Sequence, residues 1–243
     1  LGGSVSTLVA IRAQEFVQTK LGRAESLEAR KQALEVAYGA VAASSLAEAP
    51  TALLGLALST LSLSALLAAF LGYDTLAGEL SHRQIRYFTL RAQRSSLVFG
   101  KLLGTFAVAS LMTLAIHTIA WVLVPLKTST PVADVLAWGP RLWLATLPVS
   151  FAWCGLVTFV SSLPRTPILA LLLAFFGMIL VWSGYAAAVA YEVDALTWIN
   201  PGHYDQLLFS PELHKLAGGV AAGLGWGAGF GALAVLTLIR RDL

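Results

Sequence analysis

The chain has 243 residues, 57% of them hydrophobic and 12% charged, with a formal net charge of +3 and a mean hydropathy of +0.76. Soluble domains carry about 25% charged residues, so this composition excludes a water-soluble globule and makes a bilayer part of the solvent. The basic excess is explained by membrane topology, no nucleic-acid partner is expected, and the single cysteine, Cys154, excludes a disulfide framework.

Leu1 is not an initiating Met, and the residues after it lack the charged, apolar and cleavable regions of a signal peptide. An upstream piece is therefore expected. Thr7 to Leu46 contain no Pro and are rich in Ala, Leu, Glu, Gln, Lys and Arg, which predicts one or two helices in a segment 1–50. Leu27, Leu34 and Val41 recur at seven residues, the spacing of a narrow packing seam. Pro50 suits the start of the element that follows.

Stretches of about 20 apolar residues, enough to cross roughly 30 Å of hydrocarbon, run over Thr51–Tyr73, Leu102–Leu126, Leu142–Leu163, Pro167–Ala190 and Ala217–Ile239. None of the 29 Lys, Arg, Asp and Glu residues (16 + 13) falls inside them, as the cost of a mid-bilayer charge demands. The expected fold is an all-α, polytopic helical membrane protein with five visible transmembrane helices, six in the intact chain. It divides into an extracytoplasmic helical segment 1–50 and a transmembrane domain 51–243. Arg83, Arg86, Arg91, Arg94, Lys101, Arg165, Arg240 and Arg241 lie on one side of the spans, against Lys127, Arg141 and Lys215 in the short loops opposite. Cytoplasmic loops retain positive charge, so the first side and the C-terminus are assigned to the cytoplasm. Segments 1–50, Lys127–Arg141 and Tyr191–Lys215 are assigned outside. The last of these is rich in turn formers and aromatics, suiting a short interfacial helix or re-entrant segment.

Polar groups within the spans are candidates for a pathway or for packing. Ser59 and Ser62 sit among four hydroxyls in the first span, able to bond back to a carbonyl four residues earlier or across to another helix. His117 is the one imidazole at membrane depth, as consistent with a function as with a buried neutral ring. Gly219, Gly223, Gly227 and Gly231 repeat at four residues in the last span, marking a face for close helix packing within the subunit or at a dimer seam. No Asp or Glu lies in a span and no metal-ligand spacing occurs, so neither catalysis nor a metal or cofactor site is expected of this chain.

The remaining candidate is the segment from Asp74 to Lys101. On one continuous helix Arg83, Arg86, Arg91 and Arg94 would share an arc of roughly 140°, but Tyr87 and Leu90 share that arc, which leaves open a break near Thr89. Local physics leaves two readings open, a juxtamembrane helix holding anionic head groups or a docking element for a cytoplasmic protein.

The D-x-x-x-x-E spacing of Asp74 and Glu79, the Ile85-Arg86-Tyr87 triplet, Arg94 seven residues before Lys101, and Arg240-Arg241-Asp242 after the last span together resemble type-2 ABC (ATP-binding-cassette) exporter permeases. The resemblance implies six spans, a homodimer of permeases over two ATP-binding subunits that bind ATP and Mg, and a prokaryotic cytoplasmic membrane. It also implies that segment 74–101 is the coupling segment, with Asp74, Glu79, Arg83, Arg86, Arg91, Arg94 and Lys101 as ATPase-coupling residues: Arg83, Arg86, Arg91 and Arg94 for contact with the ATPase, Asp74 and Glu79 placing the coupling helix at the membrane edge, and Lys101 at the entrance of the next span. Arg83-Gln84 and Leu90-Arg91 depart from the family's usual residues at those places. The alternative is an ABC-type mechanotransmission or membrane-anchoring subunit acting on an extracytoplasmic protein without transport.

Overall fold

The structure, a computed structural model, describes residues 23–81, 93–191, 193, 197–198 and 200–240. It is 88% helical, without strands among the described residues. The helices are α1 Arg23–Ala47, α2 Thr51–Gly72, α3 Asp74–Ser81, α4 Arg94–Lys127, α5 Val132–Ser161, α6 Pro167–Ala190, α7 Asp205–Leu208, which follows a 3-10 turn at Pro201–Tyr204, and α8 Leu213–Ile239. Five helical stretches are long and apolar enough to cross a membrane, beginning at Thr51, Arg94, Val132, Pro167 and Leu213.

Three of these extend past the apolar stretch that marks them in the sequence. α4 begins at Arg94 rather than near Leu102, α5 at Val132 rather than near Leu142, and α8 at Leu213 rather than near Ala217. Leaving hydrocarbon does not end a helix, because its backbone hydrogen bonds are made within the helix itself; α5 continues even through Gly139-Pro140. Arg94 to Lys101 are accordingly the first two turns of α4, and the single continuous helix considered for 74–101 is not formed, since Gln93 is not helical; residues 82–92 lie outside the described residues.

The described chain divides into two compact units. The first comprises residues 23–62, 113–147 and 202–220, the second 63–81, 93–112, 148–201 and 221–240.

In the first unit α1 folds back on itself. Gly39 takes φ 77° and ψ 160°, a backbone state open to glycine and strained for other residues. The reversal is needed because Arg30 donates from Nη2 to the carbonyls of Leu46 (3.2 Å) and Ala49 (2.7 Å), and from Nη1 to Thr51 Oγ1 (3.1 Å). On a straight helix residues 30 and 46 would stand about 24 Å apart at 1.5 Å per residue, beyond any side chain. The seven-residue seam is not formed. Leu34 is fully buried, but Leu27 and Val41 are 49% and 46% exposed, since the break at Gly39 turns the second arm out of register with the first. Tyr38, Ala42, Ala43 and Leu46 complete the buried face, and α7 packs on α1 with Tyr38 edge-on to Phe209 at 5.5 Å.

In the second unit, α5 and α8 approach to backbone contact. A Cβ on Gly155 would stand 2.6 Å from the Gly227 Cα, and one on Gly223 would stand 2.7 Å from the Pro148 carbonyl. α3 packs against α6.

Candidate functional site

α3 is a short helix of eight residues directly after a span, and its residues explain how it holds its place. Leu76, Ala77 and Leu80 are buried along one face. Leu76 and Leu80 join Val98 of α4 and Ala234 and Leu238 of α8 in one apolar cluster, against which Leu97, Phe159 and Val235 also pack. The N-terminus of α3 needs acceptors for its first N–H groups, and Tyr73 before it has no short side-chain oxygen to offer. Ser161, the last residue of α5, does this from a distance. Its Oγ accepts from the backbone N–H of Leu76 and of Ala77, each at 3.1 Å, and donates to the Tyr73 carbonyl at 2.7 Å.

Two charged contacts tie the same helix ends. Lys101 Nζ of α4 stands 2.5 Å from Glu79 Oε1 of α3, while Glu79 Oε2 is buried without a hydrogen-bond partner among the described residues. Arg94 Nη1 donates to the carbonyls of Leu238 (2.6 Å) and Ile239 (3.1 Å), the last carbonyls of α8, where a cation is favoured by the helix dipole. The end of α2, all of α3, the start of α4 and the ends of α5 and α8 therefore meet at one place within this unit. Strict alternation of the spans requires those ends to lie on one side of the membrane.

The residues expected to carry function fall as follows. Asp74 opens α3, where its charge suits the helix N-terminus; it lies along the helix against Gly78, leaving no room there for a methyl. Glu79 and Lys101 are paired with each other, and Arg94 is directed onto α8. Arg83, Arg86 and Arg91 lie outside the described residues. Ser59 and Ser62 donate to the carbonyls of Gly55 (2.8 Å) and Leu58 (2.9 Å) in their own helix. His117 is 1% exposed, its Nδ1 is 2.8 Å from the Thr113 carbonyl, and its ring meets Trp121 edge-on at 6.5 Å.

Of the two settings open for the glycine face, this structure places it inside the subunit. Gly219 lies against Leu207 and Leu208, Gly223 against Pro148, Gly227 against Phe151, and Gly231 against Phe99 and Leu102. Gly218, Gly225 and Gly229, on the other face of α8, have open space around them.

Ser161 and Arg30 were not evident from sequence. A Ser two residues before Leu163-Pro164 reads as the ordinary end of a helix, and an Arg in a charged amphipathic stretch reads as solvated. Neither carries a local signal for a partner 85 or 19 residues away.

The first unit holds the groups with displaced protonation equilibria. Burial pushes the Asp205 carboxyl up to about 8, and its Oδ1 is buried without a hydrogen-bond partner among the described residues. Burial, reinforced by the Asp205 charge, raises the Tyr38 phenol well above its ordinary range. His203 is held below the usual imidazole value by burial.

Five helices long and apolar enough to cross a membrane define a multi-pass membrane protein. The chain belongs to the family described as ABC-2 family transporter protein, whose model matches residues 4–243. No curated protein matches it. The family makes it a membrane permease subunit of an ABC transporter and implies an ABC ATPase as its partner.

Proposed function

We propose that the chain is the permease of an ATP-driven exporter, working as a homodimer with two cytoplasmic ATP-binding subunits that carry ATP and Mg, in the cytoplasmic membrane of a prokaryote. The chain itself contributes no catalytic group. The observation that carries this reading is the clamping of α3 to α4, α5 and α8 through Ser161, the Glu79–Lys101 pair and the Leu76–Leu80 cluster. That a helix fixed to several span ends is followed directly by the sequence containing Arg83, Arg86 and Arg91 supports the reading that it receives a displacement at the membrane edge and delivers it to the spans. Asp74, Glu79, Arg94 and Lys101 hold the coupling segment in position, and Arg83, Arg86 and Arg91 supply contact with the ATPase. Closure of the ATPase pair on binding ATP then biases the spans between two arrangements.

Charge reversal tests the contact. Arg86→Glu with Arg91→Glu is expected to abolish co-purification of the ATP-binding subunit in mild detergent; unchanged association and turnover would remove these residues from the interface. A second reading is favoured by the packed outer element formed by α1 and α7: the machine acts mechanically on an extracytoplasmic protein. ATP hydrolysis sensitive to vanadate, with no flux of any cargo into inverted vesicles, would favour it over transport.

A further inference from the structure

We propose that Ser161 is the positioning residue through which displacement of α3 reaches the spans, an inference that rests on the permease reading above. A hydroxyl has one proton to donate and two lone pairs to accept with, and Ser161 uses all three, on Leu76 N–H, Ala77 N–H and the Tyr73 carbonyl. The residue is fully buried, so water cannot replace a lost partner. Removal of the hydroxyl takes this partner away from two donors and one acceptor of the Tyr73–Ala77 backbone in an apolar setting.

The other ties on α3 are of a different mechanical kind. The apolar cluster of Leu76, Leu80, Val98, Ala234 and Leu238 is held by forces without direction, so its members can slide. Lys101 and Glu79 meet through two long side chains with many rotamers, and Lys101 keeps partial access to solvent. Ser161 joins two backbones through one side-chain torsion, with three directional bonds. It fixes the start of α3 to the end of α5 in position and in orientation.

What α5 does with the displacement follows from its packing. Six residues before Ser161, Gly155 abuts Gly227 with no space for a methyl group, and Phe151 and Pro148 lie on Gly227 and Gly223. The two helices are thereby locked as a pair over 148–155 and 223–227, since Gly155 meets the backbone of Gly227 and Gly223 that of Pro148, and backbone cannot rotate aside. A displacement entering at Ser161 is carried by α5 and α8 together.

Hydrogen–deuterium exchange on the intact permease–ATPase complex, with and without ATP and vanadate, tests this. In the wild type, trapping is expected to change exchange in 74–81 and in 158–163 together. In Ser161→Ala, the ATPase is expected to remain associated, the change in 74–81 to persist and the change in 158–163 to be lost. A response of 158–163 in Ser161→Ala equal to that of the wild type overturns the inference. So does a wild-type response confined to 74–81, a result that needs no variant to fold. If no ATP-binding subunit associates with the wild type, or neither segment responds, the permease reading itself fails.

Discussion

A methyl group at Gly155 has nowhere to go, because the atoms it meets are the Cα, carbonyl carbon and oxygen of Gly227, and backbone cannot rotate aside as a side chain can. Gly155→Ala is expected to cost about 1–3 kcal/mol, the range for overpacking a tight contact. Gly225→Ala, with open space around it, should stay within about 0.5 kcal/mol of the wild type. Thermal unfolding in detergent, followed by tryptophan fluorescence, separates the two. The sequence pattern showed that α8 bears closely spaced glycines, but a four-residue repeat cannot tell which neighbour fills the face. Asp205 makes a prediction of another kind. Its folded-state pKa, about 8, lies above the ordinary 3.8, so folding favours the neutral carboxyl. That contribution is complete below about pH 4, declines as pH rises and is lost above about pH 8. Exchange protection of α1 and α7 should therefore fall from about pH 7 to about pH 8 and level off above it, a window chosen above the titration of His203. Asp205→Asn should flatten the profile, and an unchanged slope in that variant would remove Asp205 as its cause.

The charge pair between α3 and α4 is a property of the two elements rather than of either residue. Lys101→Leu would leave the carboxylate of Glu79 with Oε1 unpaired beside an Oε2 that already lacks a partner. A stability loss of about 1–2 kcal/mol is expected, a figure reduced from that of a fully buried pair because Lys101 is 35% exposed. Adding Glu79→Leu should recover most of the loss by replacing two charges with apolar packing. If the double variant is no more stable than Lys101→Leu, the unpaired carboxylate is not the origin of the effect. The elements themselves differ in how far sequence reveals them. The spans are legible because the membrane forbids charge over about 20 residues. The extents of α4 and α5 are not, because helical hydrogen bonding continues beyond the hydrocarbon. The Leu27–Leu34–Val41 spacing fails for a similar reason: a seven-residue count assumes a straight helix, and Gly39 ends that condition halfway.

At the scale of the whole chain, sidedness is the property most open to test. Charge counting assigns Arg165 to the cytoplasm and Lys215 to the opposite side. A membrane-impermeant thiol reagent should label Arg165→Cys only in inverted vesicles and Lys215→Cys only in intact cells, against a background in which the sole native thiol, Cys154, is buried; the reverse pattern would invert the topology. Family and fold class were legible because both are recorded along the chain, in apolar length and in the Asp74–Lys101 spacing. The clamp on α3 was not, because its parts are scattered over residues 73–238 and only packing assembles them. That scattering bears on biogenesis. An eight-residue helix is too short to persist alone, and the hydroxyl that completes this one lies 88 residues beyond Tyr73. At about 5–20 residues per second, roughly 4–18 s of translation separate the two. The nascent chain carries α3 through that interval without its cap, and the start of α3 is secured only after the third visible span has been synthesised.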